Sequence, residues 1–410
     1  MLLGQQGIIA SMTAGSAPGK TLFAAFNNNS TIGIAAGAFR IWGGGTGQVL
    51  ATTSSSYAYL GIAGTVGDLQ VPWISTNGTS GGSGINVTLS ESTGTLLSLT
   101  IPSGSTAFPF EDFSTAPVAS NRSIQWNVFN GASSGTIQMN SFAGTFIGGS
   151  EHAQWLGGNS ISGISTASVS RYLTPVGSLT YRTVLAQAEL RVGVAGTIRA
   201  WGVHVTTNSR GTATDVTLNV NGVAQSSLNV FAATTGIFSA LPSITVVPGD
   251  LISVTITTGT GAGTILVGSL AMTTTHTGQV SDIWIQVPNS ISAGATWYFP
   301  IITTSNASSG IYLSIAPNQL ALRYNATLST PQAYVITNTL TVDQVWTLMV
   351  NGIASAVTLT VPATTTGWIT GTGSTDVIST DLLAWRVTRA AGSGASTLSY
   401  VGLQIEYTSG

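Results

Sequence analysis

Three histidines, His152, His204 and His276, and one adjacent acid pair, Glu111-Asp112, are the residues from which chemistry would have to be built. A metal site needs ligands brought together, as an i, i+4 histidine pair on one helix face does. The three histidines lie in separate segments, and none has such a partner. His204 alternates within "WGVHV" and falls on one strand face, so a structural or surface role is expected for each histidine. Two carboxylates can serve a glycosidase or hold calcium. Neighbours on a strand point to opposite faces, however. Phe108, Phe110 and Phe113 in "FPFEDFST" point instead to a loop packed on the fold. Serine is abundant, but no G-x-S-x-G elbow sits between a strand and a helix. The stretch "GAFRIWGGGTG" (37–47) lacks the lysine of a phosphate-binding loop and reads as a flexible loop. Cysteine is absent, which excludes disulfides and thiolate chemistry. The sequence therefore predicts a non-enzyme with no catalytic residues, no metal ligands and no cofactor.

The ten tryptophans divide into two groups. Trp126, Trp346 and Trp385 hold inward positions on alternating strands, where core packing is the expectation. Trp42, Trp155 and Trp368 lie in glycine-rich stretches and are the candidate exposed aromatics, for contact with a glycan or a neighbouring subunit. Asp250 and Asp381 follow turns and are expected to accept from nearby backbone amides.

The elements that would position these groups are strands. Charged residues make up 6% of the 410-residue chain, against about 25% in an average soluble domain. Its surface must be covered by Ser, Thr, Asn, Gln and Gly, which suit strands and turns. Charge also protects strand edges from association, so so few ions point to an assembly that covers much of the surface. The net charge is −2 with the basic residues scattered singly, which argues against nucleic acid as a partner. No apolar run approaches the roughly 18 residues of a membrane helix. The start, "MLLGQQGIIASMTAG", has no basic region and no long apolar stretch, so no signal peptide is expected. The first nineteen residues read either as an arm that docks on a neighbour or as an edge strand or loose terminus.

Strands of four to eight residues recur between Gly, Asn, Pro and Ser clusters. In "DVTLNVNGVAQSSLNV" (215–230), Val216, Leu218 and Val220 alternate with polar residues up to Asn221-Gly222, a hairpin turn whose two positions need φ > 0. "VWTLMVNGIASAVTLTV" (345–361) repeats the pattern through Asn351-Gly352. A third hairpin ends at Gly94, with its apolar parity shifted by one residue, which predicts a bulge or a different loop there. After each hairpin a return strand carries matched apolar residues: Ile124, Trp126 and Val128; Ile252, Val254 and Ile256; Leu383, Trp385 and Val387. Each unit also opens on an aromatic strand, "KTLFAAF" (20–26), "SRYLTPV" (170–176) or "ATWYFPI" (295–301). The stretches 148–167 and 274–294, rich in Gly, Ser and Thr, read as joins. The expectation is all-β, with three tandem antiparallel β-sandwich or jelly-roll domains: 1–147 with the N-terminal arm, 148–275, and 276–410.

The pattern "GTIRAWGVHV…VTLNVNG…VPGDLISVTI" resembles a β-sandwich module of bacteriophage structural proteins that decorate heads or form head and tail fibres. Gly196-Thr197-Ile198, Asn221-Gly222 and Gly249-Asp250-Leu251 carry the likeness best. Ala326-Thr327-Leu328 and Asp381-Leu382 stand in for them later in the chain, and only Gly64-Thr65-Val66 does so early. The resemblance implies a virion protein, assembled in the host cytoplasm, that acts through contacts. Its implied partners are further copies of itself as a homotrimer and the major capsid protein or other virion proteins. The alternatives are a receptor-binding or carbohydrate-binding adhesin that engages a host-surface glycan, and an outer-membrane β-barrel. The barrel would need an export signal and aromatic girdles.

Overall fold

The computed structural model describes residues 181–276 and 319–389 continuously. It also describes 20–26, 32–33, 37–41, 58–60, 62–71, 74–77, 84–91, 94–102, 105, 110–120, 122–130, 136–139, 141–148, 151–157, 163–173, 175, 280–287, 291, 296–301, 303–304, 315, 392 and 394–408. Their regular structure is β throughout, apart from one short turn of 3-10 helix at Leu185–Gln187. The N-terminal nineteen residues and Trp42 lie outside the described residues.

One pairing scheme occurs three times along the chain. In its middle occurrence the first sheet runs from an opening strand, Glu151–Gly157, to the closing strand Ile265–His276 and the long strand Gly196–Asn208. Gly236–Ala240 and Ile244–Val246 then flank the long strand. The second sheet runs Ser170–Leu173, Leu251–Thr258, Thr214–Val220, Val223–Val230, with Leu190–Arg191 also paired to the return strand Leu251–Thr258. The late occurrence has the same order. Val280–Gln286, Ser396–Tyr407 and Ala326–Asn338 form one sheet, with Gly367–Thr370 and Ser374–Val377 at its flank. Trp297–Pro300, Leu382–Arg389, Gln344–Val350 and Ile353–Val361 form the other, with Leu320–Ala321 on the return strand. The early occurrence follows suit with Lys20–Phe26, Ser141–Ile147, Gly64–Val71 and Phe110–Val118. Its second sheet is Gly37–Ile41, Arg122–Asn130, Ile85–Glu91 and Gly94–Ile101, with Ala58–Leu60 on the return strand. A small sheet of Ile32–Gly33, Thr136–Met139 and Ile74–Asn77 prolongs the first sheet past breaks in its strands.

The two sheets of each repeat close on an apolar layer, as alternation demands. Val216, Leu218 and Val254 in one sheet and Trp201, Val203 and Leu270 in the other share one cluster, all buried. Trp126, Trp346 and Trp385 are fully buried, as the sequence pattern requires. The Asn-Gly turns adopt the conformation for which those residues are selected: φ is 53° and 74° at Asn221-Gly222 and 50° and 80° at Asn351-Gly352. Asp250 and Asp381 accept from the backbone N–H of Val247 and Ile378, at 2.8 and 2.9 Å. Their second oxygens take the Asn221 and Asn351 amides, which ties each hairpin tip to the neighbouring turn.

Five sequence expectations change. Glu91 pairs with Gly94 as Val220 pairs with Val223, so Gly94 begins the second hairpin strand and matches Val223 rather than the turn glycine. With that one-residue correction Ile85, Val87 and Leu89 fall in register with Thr214, Val216 and Leu218, and the shifted parity disappears without a bulge in that strand. "KTLFAAF" is the opening strand of the first sheet, whereas Ser170–Leu173 and Trp297–Pro300 belong to the second sheet. Their early counterpart is Gly37–Ile41, which is a strand rather than a loop. The stretches read as joins hold the opening strands Glu151–Gly157 and Val280–Gln286. Both opening strands pair with the free edge of a closing strand, and their flanking Gly, Ser and Thr hide them in the overall composition. Finally, Glu111 and Asp112 lie on the strand Phe110–Val118, not in a loop.

The repeats dock head to tail and the contacts close. Ala58–Leu60 of repeat 1 lies against the first sheet of repeat 2. The matching segment of repeat 2, next to Leu190–Arg191, docks on repeat 3 through Gly193 and Gln187. Its counterpart in repeat 3, Ala321–Tyr324, docks on repeat 1 through Gln70 and Glu111. The opening strands meet at the centre. Lys20–Phe26 adjoins Glu151–Gly157, which adjoins Val280–Gln286, and Thr303–Thr304, paired to the last of these, adjoins Lys20–Phe26. Heterologous contacts of this kind form a ring when the rotation closes. Here one polypeptide supplies all three members.

Candidate functional site

The residues with obvious chemical potential are dispersed. Among the described residues no group of three or more His, Cys, Asp or Glu could hold a metal ion. His204 is buried on the long strand of repeat 2, and desolvation holds its pKa below the usual histidine value. His276 ends the closing strand between the Thr274 hydroxyl, 2.8 Å away, and the Ala195 carbonyl at 3.0 Å. Burial lowers its pKa too, against the opposing pull of that carbonyl. His152 and Trp155 lie on the opening strand Glu151–Gly157, whose side chains are outside the described residues. Trp368 is half-buried and meets Trp284 and Tyr334 edge-on, with ring centroids 5.9 and 5.4 Å away.

The polar groups concentrate instead at the junctions between repeats. Where repeat 3 meets repeat 1, Gln70 is aimed by a bulge: the long strand slips register between Gly67 and Leu69, with Asp68 at φ 53°. Gln70 grips Ala321 on both sides. Its Nε2 donates to the Ala321 carbonyl at 2.9 Å, and the Ala321 N–H donates to its Oε1 at 3.3 Å. Arg323 forms an ion pair with Glu111, and its guanidinium lies 5.1 Å from the centre of the Phe113 ring. Asp68 accepts from Tyr324 and Thr145. Burial lowers the Arg323 pKa, with Asp68 pulling the other way. Arg323→Ala leaves Glu111 half-buried without its cation and is expected to cost about 1–3 kcal/mol. Differential scanning calorimetry should show a lower first transition, and an unchanged trace would refute the pair's role.

The repeat 2–3 junction is built differently on the same frame. The late long strand has the matching bulge, between Ser329 and Gln332 with Thr330 at φ 48°. Strand pairing makes Gln332 the counterpart of Gln70, and Thr370 that of Glu111. Thr330 replaces Asp68, Gly193 replaces Arg323, and Arg191 replaces Ala321. The cation and both its anions are thus lost together. Gly193 is held instead by Asp282 and Gln404. Its N–H donates to Asp282 Oδ2 at 2.8 Å, and Gln404 Nε2 donates to its carbonyl at 2.6 Å. A Cβ at Gly193 would lie 2.3 Å from Asp282 Oδ1, so only glycine permits this approach. Ser399 and Tyr400 hydroxyls donate to the Gln187 carbonyl at 3.0 and 3.3 Å, and Trp284 and Tyr400 of repeat 3 pack into the core of repeat 2.

The exchange of large charged side chains for small ones leaves an open cleft between the two repeats. It is lined by Arg191, Gly193 and Gly249 on one side and Thr330, Gln332, Thr370 and Gln404 on the other, with about 480 Å³ of empty space, part of it open to solvent. Gln332 is 5% exposed, and its side chain makes no hydrogen bond to any described residue, although its counterpart Gln70 makes two.

No family model matches the chain. No curated protein matches it either.

Nothing local in the sequence marks Gln70, Gln332, Asp282 or Arg323 as junction residues. The signal that would have found them is the repeat aligned through its strands. Glutamine falls at the same place after "GTVGDL" and "ATLSTP", where an alternating strand should bury an apolar side chain.

Proposed function

We propose that this chain is a non-enzymatic structural protein of a bacteriophage particle, attached to the capsid as a decorating protein or head fibre and working through protein–protein contacts. The observation that carries this reading is the ring. Three sandwiches closed by heterologous contacts make a block that suits a cement or projection, with the chemically active side chains of the described residues dispersed. A homotrimer obtains its threefold contacts from three chains, whereas this chain obtains them from its own repeats. We therefore favour other virion proteins, the major capsid protein first, over further copies of itself as the principal partner.

Strand pairing fixes which positions of the repeats are equivalent. Val223 and Ile353 are such a pair at the hairpin tips, 61% and 73% exposed, and Val247 and Ile378 form a second pair beside them, 50% and 57% exposed. These apolar side chains, set beside the half-buried Asp250 and Asp381, support attachment through burial of apolar surface.

Antibody labelling of purified particles from a lysate that produces the protein should decorate the capsid. Ile353→Asp with Val223→Asp should lower particle occupancy at least tenfold while leaving the melting temperature unchanged. Absence of the protein from washed particles would defeat the reading. A carbohydrate-binding adhesin is the second reading, and one feature favours it, the polar cleft between repeats 2 and 3.

A further inference from the structure

We propose that the cleft between repeats 2 and 3 is a binding site for a single sugar residue, with vicinal hydroxyls held by the side-chain amide of Gln332. This goes beyond a purely structural role and does not depend on where the protein sits in a particle.

Three observations converge on it. First, Gln332 is an almost fully buried carboxamide without a hydrogen-bond partner among the described residues, and it lines the cleft. Its amide atoms are not among the sealed, unsatisfied polar atoms, so they face the cleft and are available to a ligand there. Second, Gln70 shows what this side chain does on this frame: it takes a donor and an acceptor side by side, the N–H and C=O of Ala321. Adjacent hydroxyls of a pyranose present that same pair of functions to one carboxamide. Third, the groups around Gln332 have the chemistry of polyol recognition. Thr330 and Thr370 bring hydroxyls, Gln404 has a side-chain oxygen in addition to the amide nitrogen spent on Gly193, and Arg191 brings several N–H donors at the rim.

A peptide strand offers the same donor–acceptor pair but fits less well. Recognition of an extended peptide requires pockets for alternate side chains, and this cleft is lined mainly by polar groups and glycine, with Val192 and Pro248 as its apolar members. Its enclosed volume, about 220 Å³, is below the roughly 300–1,000 Å³ of drug-sized sites and limits an occupant to one sugar residue. No aromatic side chain lines it, so stacking contributes nothing and the affinity of one sugar residue is expected to be millimolar.

Saturation-transfer NMR on the full chain tests this with the methyl glycosides of glucose, galactose, mannose and glucuronic acid. At least one should give a saturable signal. Gln332→Ala should weaken that binding tenfold or more. Thr370→Trp should do the same by filling the mouth of the cleft from an exposed position, where folding is not at risk. Gln70→Ala, at the closed junction, should leave sugar affinity within twofold. No saturable signal from any of the four, or binding that survives both cleft variants unchanged, would overturn the proposal. Neither result bears on particle labelling, so the site and the structural role stand or fall separately.

Discussion

Arg210→Leu is expected to destabilise repeat 2 by about 3–5 kcal/mol, even though leucine occupies the equivalent position in repeat 3. Arg210 is fully buried, and it forms no ion pair among the described residues. Its guanidinium is neutralised by carbonyl dipoles. Nη1 donates to Gly263, Thr166 and Ile164, at 2.9, 3.3 and 3.5 Å, and Nη2 donates to Gly259 and Gly261. Two loops, 163–168 and 259–264, are thus pinned to one side chain. Gly263 at φ 108° makes this possible, since a Cβ there would lie 2.1 Å from the Ser209 carbonyl. Asn208 starts the same turn by accepting the Arg210 N–H at 3.1 Å, as Asn338 accepts the Leu340 N–H at 3.0 Å. The backbone frame is therefore shared, and the buried side chain differs. Leu340 is fully buried as well, so leucine at 210 has room. What it cannot do is replace five hydrogen bonds to main-chain oxygens. Lysine would restore the charge but not the planar fork that reaches both loops. Thermal unfolding followed by circular dichroism, with hydrogen exchange over 259–264, measures the loss. A melting temperature equal to wild type in Arg210→Leu would show that water satisfies those carbonyls.

How far the sequence discloses this molecule depends on the range of the interaction. The hairpins are legible because their causes are local: period-2 apolar residues and Asn-Gly turns that need positive φ. The matched return strands, with Trp126, Val254 and Trp385 at one place, are legible because pairing brings like residues to like positions. The opening strand "EHAQWLG" is not, because its pairing with Ile265–His276 spans more than a hundred residues and leaves little trace in its own composition. The junction residues are hidden for a further reason. Glu111 beside Asp112 invites a search for an acid pair, yet its partner is Arg323, 212 residues away. Arg210 and Asp282 look like scattered surface charges in a chain poor in charge, and only the closing of the ring and of the loops buries them. Trp368 sits among glycine and threonine in sequence but leans on Trp284 across strands that no local pattern connects.

Asp282 should make the docking of repeats 2 and 3 weaken as pH rises through about 7. The carboxyl is 3% exposed at the junction, and burial raises its pKa from 3.8 to about 7, against the opposing pull of the Gly193 and Val194 N–H groups. Its Oδ1 has no partner among the described residues. Arg191, two positions before Gly193 on the docking segment, is the nearest charge in sequence. The direction follows from proton linkage. Between pH 4 and 7 the folded protein keeps a proton that the unfolded chain has released, so this group favours folding most at low pH. The contribution declines as pH approaches 7 and is gone above it, a change on the order of 4 kcal/mol at most. His204 and His276 act in the opposite sense. Their lowered pKa values favour the folded state above pH 6.5 and withdraw that support on acidification. The two effects separate in Asp282→Asn, which keeps an oxygen to accept the two backbone N–H groups but cannot ionise. Wild type and variant should melt together below about pH 3.8, with the variant's advantage growing up to pH 7 and reaching several degrees at pH 8. Identical melting curves at both ends of that range would mean that water or a rearranged Gly193 segment solvates the carboxylate. The junction would then hold through Gln187, Gln404 and the packing of Trp284 and Tyr400.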